Sequence, residues 1–305
     1  MKNLKQYITE KLKITKDNIE YKHKYFPETK EELKVLLNQL IKERGQEGDF
    51  NDIDTSEITD MSKLFYIMDK FNGDISKWDV SNVTNMSYMF VGCKKFNQNI
   101  SEWNVSKVTD MHWMFNGCES FNQPLKDWNV SKVTNMQCMF DSCESFNQPL
   151  NDWDVSNVTN MDRMFMKCTS FNQALNNWNV FKVTNMTLMF YNCNWFNQSL
   201  DNWNVSKVTD MHGMFDGCDS FNQPLNSWDV SNVTNMEGMF MKCKSFNQPL
   251  NNWDVSNVTD MSEMFRESIF DKDISNWKLN NNCNTKNMFK NSPLARRQKK
   301  QPKIK

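Results

Sequence analysis

The chain of 305 residues holds only eight glycines and seven prolines, which excludes collagen-like and proline-rich architectures. No apolar run approaches the ~20 residues that a membrane helix needs. The start, MKNLKQYITEKLKITKDN, has no apolar stretch of the kind a secretory signal carries. There are three histidines, no Cys-x-x-Cys pair and no glycine-framed serine, so the usual catalytic and zinc-binding signatures are missing.

What is present is unusual. Hydrophobic residues make up 39% of the chain, enough for a core, beside 22 methionines and 11 tryptophans. The formal net charge of -1 conceals a gradient. Residues 1–44 carry 11 Lys/Arg against 7 Asp/Glu, and 291–305 carry 6 basic residues and no acid. The remaining 45–290 hold 19 basic and 30 acidic residues, a balance that does not by itself attract nucleic acid or an anionic membrane.

Tryptophan recurs every 25 residues from Trp78 to Trp253 and again at Trp277. The unit reads W-[DN]-V-S-[NK]-V-T-[ND]-M-x-x-M-F-x-x-C-x-x-F-N-Q-x-[LI]-x-x, with eight copies over 78–276 and a degenerate one from Ile53. A unit this short cannot bury its apolar face alone, so successive units must stack and each apolar position becomes a column. W-x-V has period two and predicts a short strand with Trp and Val inward. M-x-x-M-F has apolar groups at i, i+3 and i+4 and predicts a short helical turn. Strands in register at ~4.8 Å would set the spacing of the stack. Thr and Asn of V-T-[ND]-M are expected to form hydrogen-bonding ladders along it.

The segment SFNQPLNDWDVSNVTNMDRMFMKC (145–168) resembles the BspA-like leucine-rich repeat group, through F-N-Q-P-L-x-x-W and M-F-x-x-C. The resemblance covers about 50–290. It implies W-x-V strands in a parallel sheet on one face and no enzymatic activity, and members of the group are described as surface adhesins. Taken together, these readings give an α/β repeat solenoid, a leucine-rich-repeat-like right-handed stack with short parallel strands on one face and a helical N-terminal cap. Three regions follow. Residues 1–49 form a helical segment and cap, 50–290 the repeat solenoid of about nine units, and 291–305 a basic disordered tail.

Within the first region, 1–20 is weakly amphipathic. Residues 29–44 predict a helix opened by a Thr29/Glu32 capping box and stopped by Gly45. Its stripe of Leu33, Leu36, Leu37, Leu40 and Ile41 is expected to cover the first unit near Phe50 and Ile53.

Seven cysteines, Cys93, Cys118, Cys143, Cys168, Cys193, Cys218 and Cys243, share one repeat position. Columns of parallel side chains do not bridge readily, so these are read as reduced, buried thiols. They favour a reducing compartment, cytoplasmic or host-intracellular, with surface exposure as the alternative. His112 and His212 lie four units apart, roughly 19 Å, too far to share a metal. Neither a catalytic residue nor a cofactor or metal site is expected.

Candidate partner-binding residues are those the repeat leaves outward. Beside the tryptophans these are Glu102, Asp127, Asp152, Asp154 and Asn177. Phe181 stands where the seven other copies have Ser, and reads either as an anchor for a partner or as drift in one copy. Trp113 and Trp195 are extra aromatics on other segments. The expected function is a non-catalytic repeat scaffold mediating protein–protein interaction, without a small-molecule substrate. The alternative is an exported, adhesin-like protein contacting host cells or matrix. Nucleic acid would have only the basic tail to bind.

Overall fold

A computed structural model describes residues 23–303 of the chain; the amphipathic stretch 1–20 lies outside them. Its one α-helix among the described residues, α1, spans Lys30–Arg44. Thr29 caps it by accepting the Glu32 backbone N–H at 3.2 Å, while the Glu32 carboxylate reaches back to the Glu28 N–H at 2.9 Å. Gly45 ends it at φ 80°, its N–H donating to the Ile41 carbonyl at 2.9 Å. Leu33, Leu37 and Leu40 are buried in one continuous core with Phe50 and Ile53. Arg44 fastens the junction through Asp52 at 2.7 Å, and its hydrogen bond holds the Asp52 carboxyl below its ordinary range.

From there the chain runs as coils of 25 residues, the last step being 24, each laid on the one before. Parallel bridges join Asp60, Asn85, Asp110, Asn135, Asn160, Asn185, Asp210, Asn235, Asp260 and Asn284 in succession. Each bridge is a single residue per coil, and no β-strand exists among the described residues. The α/β solenoid with parallel W-x-V strands is therefore wrong. Around Trp153 the reason is local. The Asp154 carboxylate accepts the Ser156 N–H at 3.0 Å and the Val158 N–H turns back to the Val155 carbonyl at 2.9 Å. Asp or Asn after each of the eight tryptophans from Trp78 to Trp253 in the column thus closes an Asx turn that consumes the groups a strand would offer its neighbour.

The M-x-x-M-F segment is not a helical turn either. Arg163 and Lys167 have φ of 54° and 57°, and their equivalents in the other coils are also left-handed. Alternate N–H groups, those of Met161, Arg163, Phe165 and Lys167, then aim at carbonyls of the next coil, 2.7–3.1 Å away. Those of Met164, Met166 and Cys168 close turns onto carbonyls three residues back. A left-handed conformation costs a non-glycine residue roughly 1–2 kcal/mol, and here every one of these coils recovers hydrogen bonds to its neighbour.

Side chains complete the stack in columns. Phe165 lies 5.7 Å from Phe140 and 5.8 Å from Phe190, with Phe171 of the second phenylalanine column 4.3 Å away. Trp178 and Trp203 stack at 6.3 Å. Each buried indole N–H needs an acceptor, and that of Trp178 finds the Leu150 carbonyl of the preceding coil at 2.8 Å. The Cys168 thiol does the same with the Phe140 carbonyl at 2.8 Å. Asn147 accepts the Asn172 N–H at 2.9 Å and the Gln173 side chain at 3.0 Å, which accounts for the F-N-Q element. The Thr184 hydroxyl and backbone N–H both bond the Thr159 carbonyl, at 3.4 and 3.0 Å.

Residues 291–303 of the basic tail are folded, against the expectation of disorder. Two 3-10 turns, Pro293–Arg296 and Gln298–Lys300, lie across the last coil. Leu294 is fully buried, and Trp277 and Phe289 are only 4% and 8% exposed although no coil follows them. Arg297 and Lys300 grip Asp271 at 2.7 and 3.4 Å, and the Ile274 N–H donates to the Lys300 carbonyl at 3.0 Å. The apolar end of a stack needs such a cover.

Candidate interaction faces

Two exposed segments of each coil can present side chains to a partner. The first flanks the tryptophans. Glu102, Asp127, Asp152, Asp154 and Asn177 are all exposed there, distributed over successive coils. Asp154 is partly spent on its own turn, and the Ser156 hydroxyl and N–H hold its carboxyl below the ordinary range. Phe181 is 41% exposed, with the Lys207 ammonium 4.1 Å from its ring centre, a cation–π contact that gives the outward ring a place. Trp195, 67% exposed, lies on the return segment and Trp113 on the M-x-x-M-F segment. The eight candidates therefore occupy three separate segments and do not form one site.

The second face is the M-x-x-M-F segment, where the sequence differs most from coil to coil. The left-handed position between the two methionines is Lys63, Tyr88, Trp113, Cys138, Arg163, Leu188, Gly213, Gly238 and Glu263 in turn. On the first coils these side chains gather. Tyr88 stacks on Trp113 at 5.9 Å, meets His112 edge-on at 4.7 Å and Tyr66 at 6.5 Å, and lies 5.0 Å from the Lys63 ammonium. Tyr66 is 45% exposed. Sequence reasoning found Trp113 alone in this cluster. The signal for Tyr66 and Tyr88 was the variation of their two repeat positions, which a helical reading turned away from their equivalents.

The same segment buries carboxyl groups. Asp162 is received by Gln137 at 2.7 Å and Arg163 at 3.0 Å. Asp216 has no such support: its Oδ1 is buried without a partner, and burial pushes its pKa up to about 6. Its folded pKa thus exceeds the unfolded value, so the folded state holds the extra proton between pH ~4 and ~6. The stability this gives is complete below pH ~4 and is lost as pH rises through about 6. Asp216→Asn is expected to raise stability at pH 8 by about 1–3 kcal/mol. Thermal melts from pH 4 to 8 test this; the gain should shrink to nothing at the acid end, and a constant gain would refute the assignment.

Each histidine lies beside a carboxylate: His112 is hydrogen-bonded to Asp110 at 2.5 Å, His23 is 3.5 Å from Asp54, and His212 is 3.4 Å from Glu237 but its buried Nδ1 makes no hydrogen bond. No group of His, Cys, Asp or Glu among the described residues is arranged to hold a metal ion. All nine cysteines, every one within the described residues, are free thiols, and all but the half-buried Cys283 are buried. Burial raises their pKa, that of Cys93 and Cys138 to about 12, which suppresses the reactive thiolate. A thiol reagent should leave the eight buried groups untouched in the native protein and titrate nine after denaturation; a denatured count near one would mean disulfides.

The family described as "Mycoplasma protein of unknown function, DUF285" matches residues 36–140, 124–207 and 189–301. The chain belongs to this family. The three DUF285 matches overlap in mid-stack and run from α1 into the C-terminal tail, so a DUF285 unit is a run of several coils. Comparison with curated proteins finds no match, nor does comparison with solved structures. The family description names no activity, and no helix among the described residues is long and apolar enough to cross a membrane.

Proposed function

We propose that this DUF285 protein is a non-catalytic repeat scaffold that binds another protein along its M-x-x-M-F face. One observation carries the reading. Most positions that are constant from coil to coil point into the core or make hydrogen bonds, whereas the M-x-x-M-F segment varies strongly and carries half-exposed aromatics at Tyr66, Tyr88 and Trp113. Rigid aromatic side chains are the commonest anchors of protein interfaces. The non-catalytic part of the reading rests on the sequence, which carries no nucleophile–base constellation. A reducing compartment belongs to the same proposal, because aligned buried thiols fit it best. Likeness to the BspA-like group, with its adhesin-like role, is the alternative and rests on the F-N-Q-P-L-x-x-W and M-F-x-x-C elements.

The test is a photo-crosslinking amino acid placed at 88 or at 152. The Tyr88 position should capture a defined protein, and the combined Tyr66→Ser, Tyr88→Asn and Trp113→Asn variant should lose that partner while Phe181→Ser keeps it. Capture from 152 alone would move the site to the tryptophan-flanking face.

A further inference from the structure

The charge gradient becomes directional once the tail is folded. Residues 274–305 contain nine Lys/Arg and not one Asp or Glu, which leaves 27 basic against 37 acidic residues over 1–273. The structure gathers residues 274–303 of that segment at one end of the stack, as the last coil and the cover laid across it. The final acid before it, Asp273, is exposed, and Asp271 is engaged by Arg297 and Lys300. Lys278, Lys286, Lys290, Arg296, Lys299 and Lys303 remain exposed on this end.

From this polarity we infer that the C-terminal end of the stack docks end-on to an anionic phospholipid surface. The partner is chosen by shape and charge together. An extended polyanion running along the flank would meet net negative charge, so only the end attracts it, and an end-on contact suits an extended sheet of negative headgroups with the acidic body directed away. Single-stranded nucleic acid fits less well. The two aromatics of this segment, Trp277 and Phe289, are buried and offer bases nothing to stack on. Arg297 and Lys300 hold the cover in place, while the six exposed cations are not needed to fold it. This inference is independent of the M-x-x-M-F face.

Co-sedimentation of the full chain with vesicles tests it. The protein should bind vesicles of phosphatidylcholine containing about a third phosphatidylserine, not phosphatidylcholine alone, and lose binding as salt rises. Combining Arg296→Gln, Lys299→Gln and Lys303→Gln should weaken binding about a hundredfold. Lys286→Gln with Lys290→Gln, on the last coil itself, gives a second reading of the same surface and should weaken it about tenfold or more. Lys107→Gln, Lys132→Gln and Lys182→Gln on the flank should change it by less than about twofold. Equal binding to both vesicle types, an equal loss from the flank variant, or tighter binding to single-stranded RNA than to the vesicles would overturn the inference.

Discussion

Replacing Phe165 with alanine is expected to destabilise the protein by about 3–5 kcal/mol and to make it melt in two transitions where the unaltered protein melts in one. Phe165 is fully buried and stands between Phe140 and Phe190, with Phe171 4.3 Å and Trp178 6.1 Å from its ring. A coil touches only its neighbours, so the stability of the stack is a sum of coils and interfaces, and a cavity at the centre weakens both interfaces at once. The same change at Phe289, which has one neighbouring phenylalanine in its column at 6.1 Å, should cost less and leave one transition. Calorimetry on the two variants checks this, and equal shifts from the central and terminal positions would argue against a chain of nearest neighbours.

Removal of residues 1–45 is the second large effect. It takes away the Leu33, Leu37 and Leu40 face of α1, all at most 1% exposed, and the Arg44 clamp on Asp52. What is left bare is the first coil, including Phe50 and Ile53, an apolar cross-section with unpaired backbone groups. The truncated protein should associate or precipitate, read by light scattering during size-exclusion chromatography. Leu37→Asp, which places a charge in the same contact, should act in the same direction by about 3 kcal/mol or more. A monodisperse truncation that still melts cooperatively would show that α1 is dispensable.

Much of the interior was legible from the repeat. Period alone put Trp, Val, Met, Phe and Cys inside, because a position repeated unchanged through the coils must stack on itself. The backbone was not legible, since side-chain period does not reveal where a main-chain N–H points. W-x-V does alternate inward and outward, yet Asp or Asn at its centre bonds the Ser N–H two residues on, so the alternation belongs to a turn. M-x-x-M-F has helical spacing, yet its second variable slot is left-handed. Tyr88, Trp113, Arg163 and Leu188 give no hint of this by residue type, and only Gly213 and Gly238 at the same slot do. The ordered tail was hidden by its charge, which outweighs the single buried Leu294 in any reading of composition. The candidate face followed the same pattern. Phe181 was visible as an exception in a constant column, while Tyr66 and Tyr88 lay in two columns that vary from coil to coil.

Spin labels test the register of the coils most directly. With half-exposed or exposed serines at one repeat position replaced by cysteine in pairs, Ser106 with Ser206, Ser231 or Ser256, and Cys283 changed to serine, the buried native thiols stay unlabelled. Pulsed dipolar spectroscopy should then give separations that rise by one constant step for each coil between the labels. Distances that scatter without order, or that shorten again as more coils intervene, would contradict the continuous stack.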